Sequence, residues 1–360
     1  MKTGHSLNEV IVELEHQNQA KADFIAPAKG MMLHDDGSTF EINNIKTKEK
    51  EEFNATNILH RQIGTTLNIP AKYYDLMREE KPELLARNVN SWFGDLENNY
   101  MVRSFKYPEE NIGRALLSAQ YRRIDNLLVA EGILPMFAGT DQFEVVSCEV
   151  TERKLYFKIV NHMLRKEVNV GDVVEGGVVI TNSEVGLGAV TVHPFVNRLV
   201  CTNGMIVTEM GNRKTHVGKV VTPIEGTMQI LSTETMEAED KAFILRLRDA
   251  AKVAIDEEMF QQVVNKLQQS EGQKLTGNPG DVVKLAGKVY DFNKDEQTGI
   301  LRHLVEGGDL SKYGLANAIT RTSADLKDYD RATEFEEIGW KTAIMENELW
   351  EQLNGKAYML

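Results

Sequence analysis

The sequence predicts an α+β protein with a central antiparallel β-meander, flanked by an N-terminal helical unit and a C-terminal helical region. Three observations predict it. The apolar period drops from about 3.6 to about 2 near residue 141, β-branched runs separated by turn residues fill 141–210, and amphipathic helical patterns lie on both sides. The segments expected are 1–100 (hairpin and helical unit), 101–225 (β core with an Arg-rich motif) and 226–360 (helical region).

Residues 1–50 read as loosely structured and then β-like. A hairpin is predicted where His34-Asp35-Asp36-Gly37-Ser38 separates Gly30-Met31-Met32-Leu33 from Thr39-Phe40-Glu41-Ile42. Ile58, Leu59, Ile63 and Leu67 predict a helix that Pro70 stops. Pro70 and Pro82 each suit the first turn of a further helix, where the missing N–H costs nothing. Residues 143–150 and 154–160 alternate as strands. Further strands are predicted over 177–181, 189–193 and 195–200, with a turn at Asn182-Ser183-Glu184. Asn203-Gly204 predicts a tight type I′ hairpin before Met205-Ile206-Val207, because both residues accept positive φ. From about 233, Phe243, Leu247, Ala251, Val263 and Leu267 predict one long helix that Gly272 closes. Residues 272–281 read as a loop, and a second helical block is expected over 294–353.

Composition removes several classes. The chain has 360 residues, 42% of them hydrophobic, enough to bury a sizeable core. With 7% aromatics, 8 Pro and 27 Gly it is not collagen-like or Pro-rich. The two cysteines, Cys148 and Cys201, support no disulfide scaffold, and no run reaches the roughly 20 apolar residues of a membrane span. A cytoplasmic location, without contact with a membrane, is the expectation. The net charge of −13 hides a local excess of +4 over 153–220, a segment suited to attracting phosphates.

Chemistry concentrates in two stretches. The first runs from Arg114 to Asn126. As a helix it would line Arg114, Ser118, Tyr121, Arg122 and Asp125 along one face, with Arg123 and the preceding Arg103 available to join them. Guanidinium forks beside hydroxyls suit phosphate or carboxylate. The Arg114–Ser118 piece could also end a strand, and the alternative to a site is an Arg–Asp network that fixes helix to sheet. The second stretch interleaves cations with rings: Lys154, Tyr156 and Lys158, then Arg165 and Lys166, with Arg198, Arg213, Lys214 and Lys219 later. On strands, that pattern holds a single nucleic-acid strand, phosphates on cations and bases on rings.

No catalytic residues are assigned. Cys201 reads as a small buried hydrophobe, the eight histidines show no zinc-type spacing, and Asp35-Asp36 and Asp325, Asp328 and Asp330 read as solvated faces, so no metal is expected. Neither G-x-G-x-x-G nor a Walker A loop occurs, so no cofactor is expected.

Several of these pieces together resemble the phage- and plasmid-borne proteins of the domain-of-unknown-function 932 family. They are His60-Arg61-Gln62-Ile63, Asn68-Ile69-Pro70-Ala71-Lys72-Tyr73, Asn88-Val89-Asn90-Ser91-Trp92, Arg114 to Ser118, Tyr121 to Asn126, Asn182-Ser183-Glu184, and Arg198 to Met205. Gln120 stands where the family pattern has an acidic residue. The resemblance implies a mobile-element protein concerned with DNA metabolism or with countering host defence. The expected function is a self-associating nucleic-acid-binding protein, single-stranded DNA favoured, accessory to recombination or strand annealing. The alternative is a counter-defence protein that binds a host protein or a small nucleotide signal.

Overall fold

The structure, a computed structural model, describes residues 1–44, 47–201, 203–209, 212, 213 and 233–355. The chain opens with helix α1 (Leu7–Ala20), where a loose segment is expected. Its buried stripe is thin, Val10, Leu14 and Ala20, so periodicity hardly marks it. What starts it is a capping box in which Ser6 and Glu9 satisfy each other's backbone N–H groups.

The first sheet is built from β1 (Lys21–Pro27), β2 (Met31–Leu33), β3 (Thr39–Asn43), β4 (Lys50–Ala55), β5 (Asn99–Lys106) and β6 (Asn111–Ser118). Their order is β1-β5-β6-β4-β3-β2, with a single parallel pair, β4 with β6. The predicted hairpin is present as β2–β3, and Gly37 takes the positive φ its turn requires. The predicted helices are α2 (Asn57–Thr66), α3 (Ala71–Glu80) and α4 (Pro82–Asp95). They cover one face through Leu59, Ile63, Tyr74, Met77, Leu85, Val89 and Phe93. Strands β5 and β6, although they lie beyond residue 98, hydrogen-bond into this first sheet.

The second sheet is the predicted meander. It runs β7 (Phe143–Val150), β8 (Leu155–Asn169), β9 (Asp172–Asn182), β10 (Thr191–Arg198) and β11 (Asn203–Ile206) side by side, with β12 (Asn212–Arg213) also pairing β10. Both faces are covered. Phe157, Ile159, Val178 and Ile180 pack under α1, α5 (Asn126–Ile133) and α6 (Thr233–Ala254). Leu164, Val174, Val196 and Met205 pack under α7 (Glu257–Glu271), α10 (Lys312–Thr322) and α11 (Tyr329–Ala343). The remaining helices, α8 (Pro279–Tyr290), α9 (Lys294–Gly307) and α12 (Asn347–Gly355), build a satellite core around Phe292, Ile300, Phe335 and Trp350.

Three expectations are corrected here. The single long helix is two, because the Asp256 side chain caps α7 through Glu258 N and Met259 N and so restarts the helix after Ala254. Helix α8 begins inside the expected loop, with Asn278 as its cap and Pro279 in its first turn. The Asn203-Gly204 pair is not a turn: Arg198 pairs with Asn203, so the hairpin reverses before it and both residues belong to β11. Gly204 is needed there for a different reason. A Cβ on it would lie 2.4 Å from carbons of the Phe195 ring. Gly204→Ala is therefore expected to cost about 1–3 kcal/mol by overpacking. A urea midpoint equal to that of the parent chain would show that the ring yields freely.

Candidate functional site

Asp23 on β1 and Arg103 on β5 face each other in register, which places opposite charges directly across the strand pair. Arg103 has no exposed surface and uses all three of its nitrogens: Nε donates to Asp23 Oδ1 (3.0 Å), Nη2 to Asp125 Oδ1 (2.6 Å), and Nη1 to the carbonyl oxygen of Glu184 (3.0 Å). Lys21 Nζ donates to the other oxygen of Asp125 at 2.5 Å, and Arg123 reaches Asp23 Oδ2 at 3.3 Å. Burial opposes ionisation of Asp125, yet Arg103 and Lys21 outweigh it and hold the carboxyl below its usual range.

The turn after β9 closes the arrangement. Glu184 accepts from Arg114 Nη1 (2.7 Å) and from the Asn126 backbone N–H (2.7 Å), so it bridges β6 to the start of α5. Arg114 also lies over the Phe105 ring, 3.9 Å from its centre. Asn182 donates to Ile124 O and Asn126 Oδ1, and the Tyr121 hydroxyl donates to Ser183 O. Buried in this way, the Tyr121 phenol is pushed up to about 12. The motif residues Arg114, Tyr121 to Asn126 and Asn182 to Glu184 thus meet at one place, the junction of the two sheets. They meet as an Arg–Asp/Glu network and not along a helix, because 111–118 is strand β6.

Among the expected phosphate ligands whose side chains are described, each is paired or turned inward except Ser118 and Lys154; the Arg213 side chain is not among them. Arg122 pairs with Asp240 of α6 at 3.0 Å. Lys158 is wholly buried against Glu336 of α11 at 2.7 Å, and the Tyr156 hydroxyl donates to Asp330 at 2.6 Å. Strand alternation does put Tyr156 and Lys158 on the face away from Phe157, as the sequence implies, but α11 covers that face. Arg165 pairs with Glu175 of the adjacent strand, Lys166 approaches Glu257 of α7, and Arg198 pairs with Asp172. Ser118 is exposed at the end of β6, where its hydroxyl accepts from Gln120 N–H. Lys154 is half-buried beside the Gly188 backbone. Lys214 and Lys219 lie outside the described residues. Among the described residues, then, the expected continuous basic and aromatic β surface is not assembled; carboxylates of the meander itself and of α6, α7 and α11 neutralise it.

A cavity of about 10 Å³ opens beside the network, lined by Leu14, Gln17, Asn18, Lys21, Asp125, Asn126, Leu127 and Glu184. That is room for one water molecule, against the roughly 300 Å³ or more of a small-ligand site. Of the cysteines, Cys148 is buried, and burial pushes its thiol up to about 11, away from the reactive thiolate. Sequence reading missed Lys21, Asp23, Asp240 and Glu336, and took Asp330, which accepts from the Tyr156 hydroxyl, for part of a solvated face. Only strand register and helix placement reveal them.

Fold and junction together define an α+β protein of two sheets locked by a buried ion-pair network. Residues 115–327 match the model of the family described as Domain of unknown function (DUF932), and the chain belongs to that family. No curated protein and no solved structure matches it. No helix among the described residues is long and apolar enough to cross a membrane.

Proposed function

We propose that the chain acts as a binding protein whose partner is another protein, met on helices α3 and α4. The observation that carries this reading is the exposure of Tyr73 (46%), Leu76 (48%), Leu84 (37%) and Trp92 (53%). Tyr73, Leu76, Leu84 and Trp92 each stand one position before a residue of the buried stripe, Tyr74, Met77, Leu85 and Phe93, so they lie about 100° around the helix from it. Around them, exposed Lys72, Glu79, Glu80, Glu83 and Arg87 mix both signs. Aromatic and aliphatic anchors inside a mixed polar rim suit a protein interface, and a polyanion would favour one sign. The reading agrees with the host-protein branch of the counter-defence function that the family resemblance implies. The cavity beside the junction network, with room for one water molecule, gives the nucleotide-signal branch no support.

Tyr73→Ala and Trp92→Ala are expected to leave stability within about 0.5 kcal/mol, since both side chains are exposed. They are also expected to abolish retention of a protein partner from nuclease-treated lysate of the bacterial host. The reading fails if retention ignores both substitutions. It also fails if the bound material is nucleic acid that a high-salt wash releases; that result would return the function to single-strand binding, for which exposed Arg153 and half-buried Lys154 at the β7–β8 turn are candidate contacts among the described residues.

A further inference from the structure

Glu41 on β3 and Glu52 on β4 are register partners, so two carboxylates stand directly opposite each other on one face of the first sheet. Like charges in that position repel. The cost is raised because Glu41 is only 6% exposed. His34 follows β2 on the next strand over, its backbone N–H bonded to Thr39 O, and its ring turns toward the same place. The three donor atoms all lie within 4.8 Å of one another. His34 Nε2 is covered by protein, has no hydrogen-bond partner, and stands 3.5 Å from Glu41 Oε2.

That separation is long for a hydrogen bond but suits two ligands of one ion. Bonds of about 2.0–2.2 Å to imidazole nitrogen and carboxylate oxygen put neighbouring ligands roughly 3.0–3.5 Å apart in tetrahedral or octahedral geometry. Lys50 Nζ holds the other oxygen, Glu41 Oε1, at 2.9 Å and leaves Oε2 facing the histidine. We propose that His34, Glu41 and Glu52 form a binding site for one divalent transition-metal ion of the zinc type. An imidazole with two carboxylates selects a borderline ion over magnesium or calcium, which prefer all-oxygen shells. With three protein ligands, a fourth position stays open to water. The ion would replace repulsion between the two carboxylates with shared attraction and pin the β2 edge to β3 and β4.

The test is calorimetric titration of the chelator-stripped, untagged full chain with zinc chloride, with magnesium chloride in parallel. One zinc per chain and no magnesium binding are expected. His34→Ala and Glu52→Gln, both changes at partly or fully exposed side chains, are each expected to weaken zinc binding by at least about tenfold while circular dichroism stays that of the parent. Lys50→Met removes the competing ammonium and is expected to tighten binding. Unchanged zinc affinity in His34→Ala, or no zinc binding by the parent chain, overturns the site.

Discussion

Lys158→Ala is expected to lower stability by about 3–5 kcal/mol, the cost of leaving Glu336 as a buried carboxylate without its counter-charge. Neither side chain of that pair has any exposed surface, and their contact is 2.7 Å. Burial also holds the Lys158 ammonium below its ordinary value, against the pull of Glu336, so the pair sits where an isolated charge is least tolerated. Glu336→Leu alone is expected to be similarly damaging. The Lys158→Met/Glu336→Leu double variant should recover most of the loss, because replacing both partners with apolar groups of similar volume removes two desolvation costs together. Urea midpoints for the parent, Lys158→Met, Glu336→Leu and the double variant check this. If the double variant were as unstable as the sum of the singles, the pair would be uncoupled and this account of it wrong.

The second large effect is at Arg103. Arg103→Met would strand Asp23 and Asp125 in the sheet junction and release the Glu184 carbonyl, at about 3–5 kcal/mol. Arg103→Lys keeps the charge but cannot donate in three fixed directions, so it is expected to recover only part of the loss. Acid carries a signature of the same contacts. The Asp125 carboxyl is held below its unfolded value, so its contribution is present at neutral pH. It is lost as pH falls below the ordinary aspartate value of about 3.9 and through the lower folded value. In Arg103→Met the folded value returns toward the ordinary one, and the acid limb of stability against pH should flatten. A limb of unchanged slope would show that Arg103 does not set the ionisation of Asp125.

The meander, the first hairpin and helices α2 to α4 were legible because each repeats an apolar period over neighbouring residues. Helix α1 was not, since its stripe is three residues deep and its start rests on the Ser6–Glu9 box. The residues at 114–126 stand out as a polar cluster, but their geometry does not, because the leading piece is strand β6, and neither does the place of the 182–184 turn beside them. The partners that decide their chemistry lie far off in sequence: Arg103 is 80 residues from Asp23. Lys158 waits for a helix from the C-terminal region. His34, Glu41 and Glu52 show no ligand spacing along the chain and come together only through the register of three strands. Net charge by segment does not show which of these cations are paired: Lys158 and Lys166 meet carboxylates of helices far along the chain, and Arg165 and Arg198 meet Glu175 and Asp172 of the same segment.

The covering of β8 by α11 bears on where this molecule can be cut. The family match spans 115–327, yet Glu336 and the helix that carries it begin after its end, and Asp23 and Arg103 precede its start. A fragment trimmed to the matched span would bare the Lys158 ammonium on a denuded sheet and leave Asp125 without either of its cations. Such a fragment is expected to be insoluble, and any piece that keeps these ion pairs must reach at least from β1 through α11, beyond the matched span on both sides.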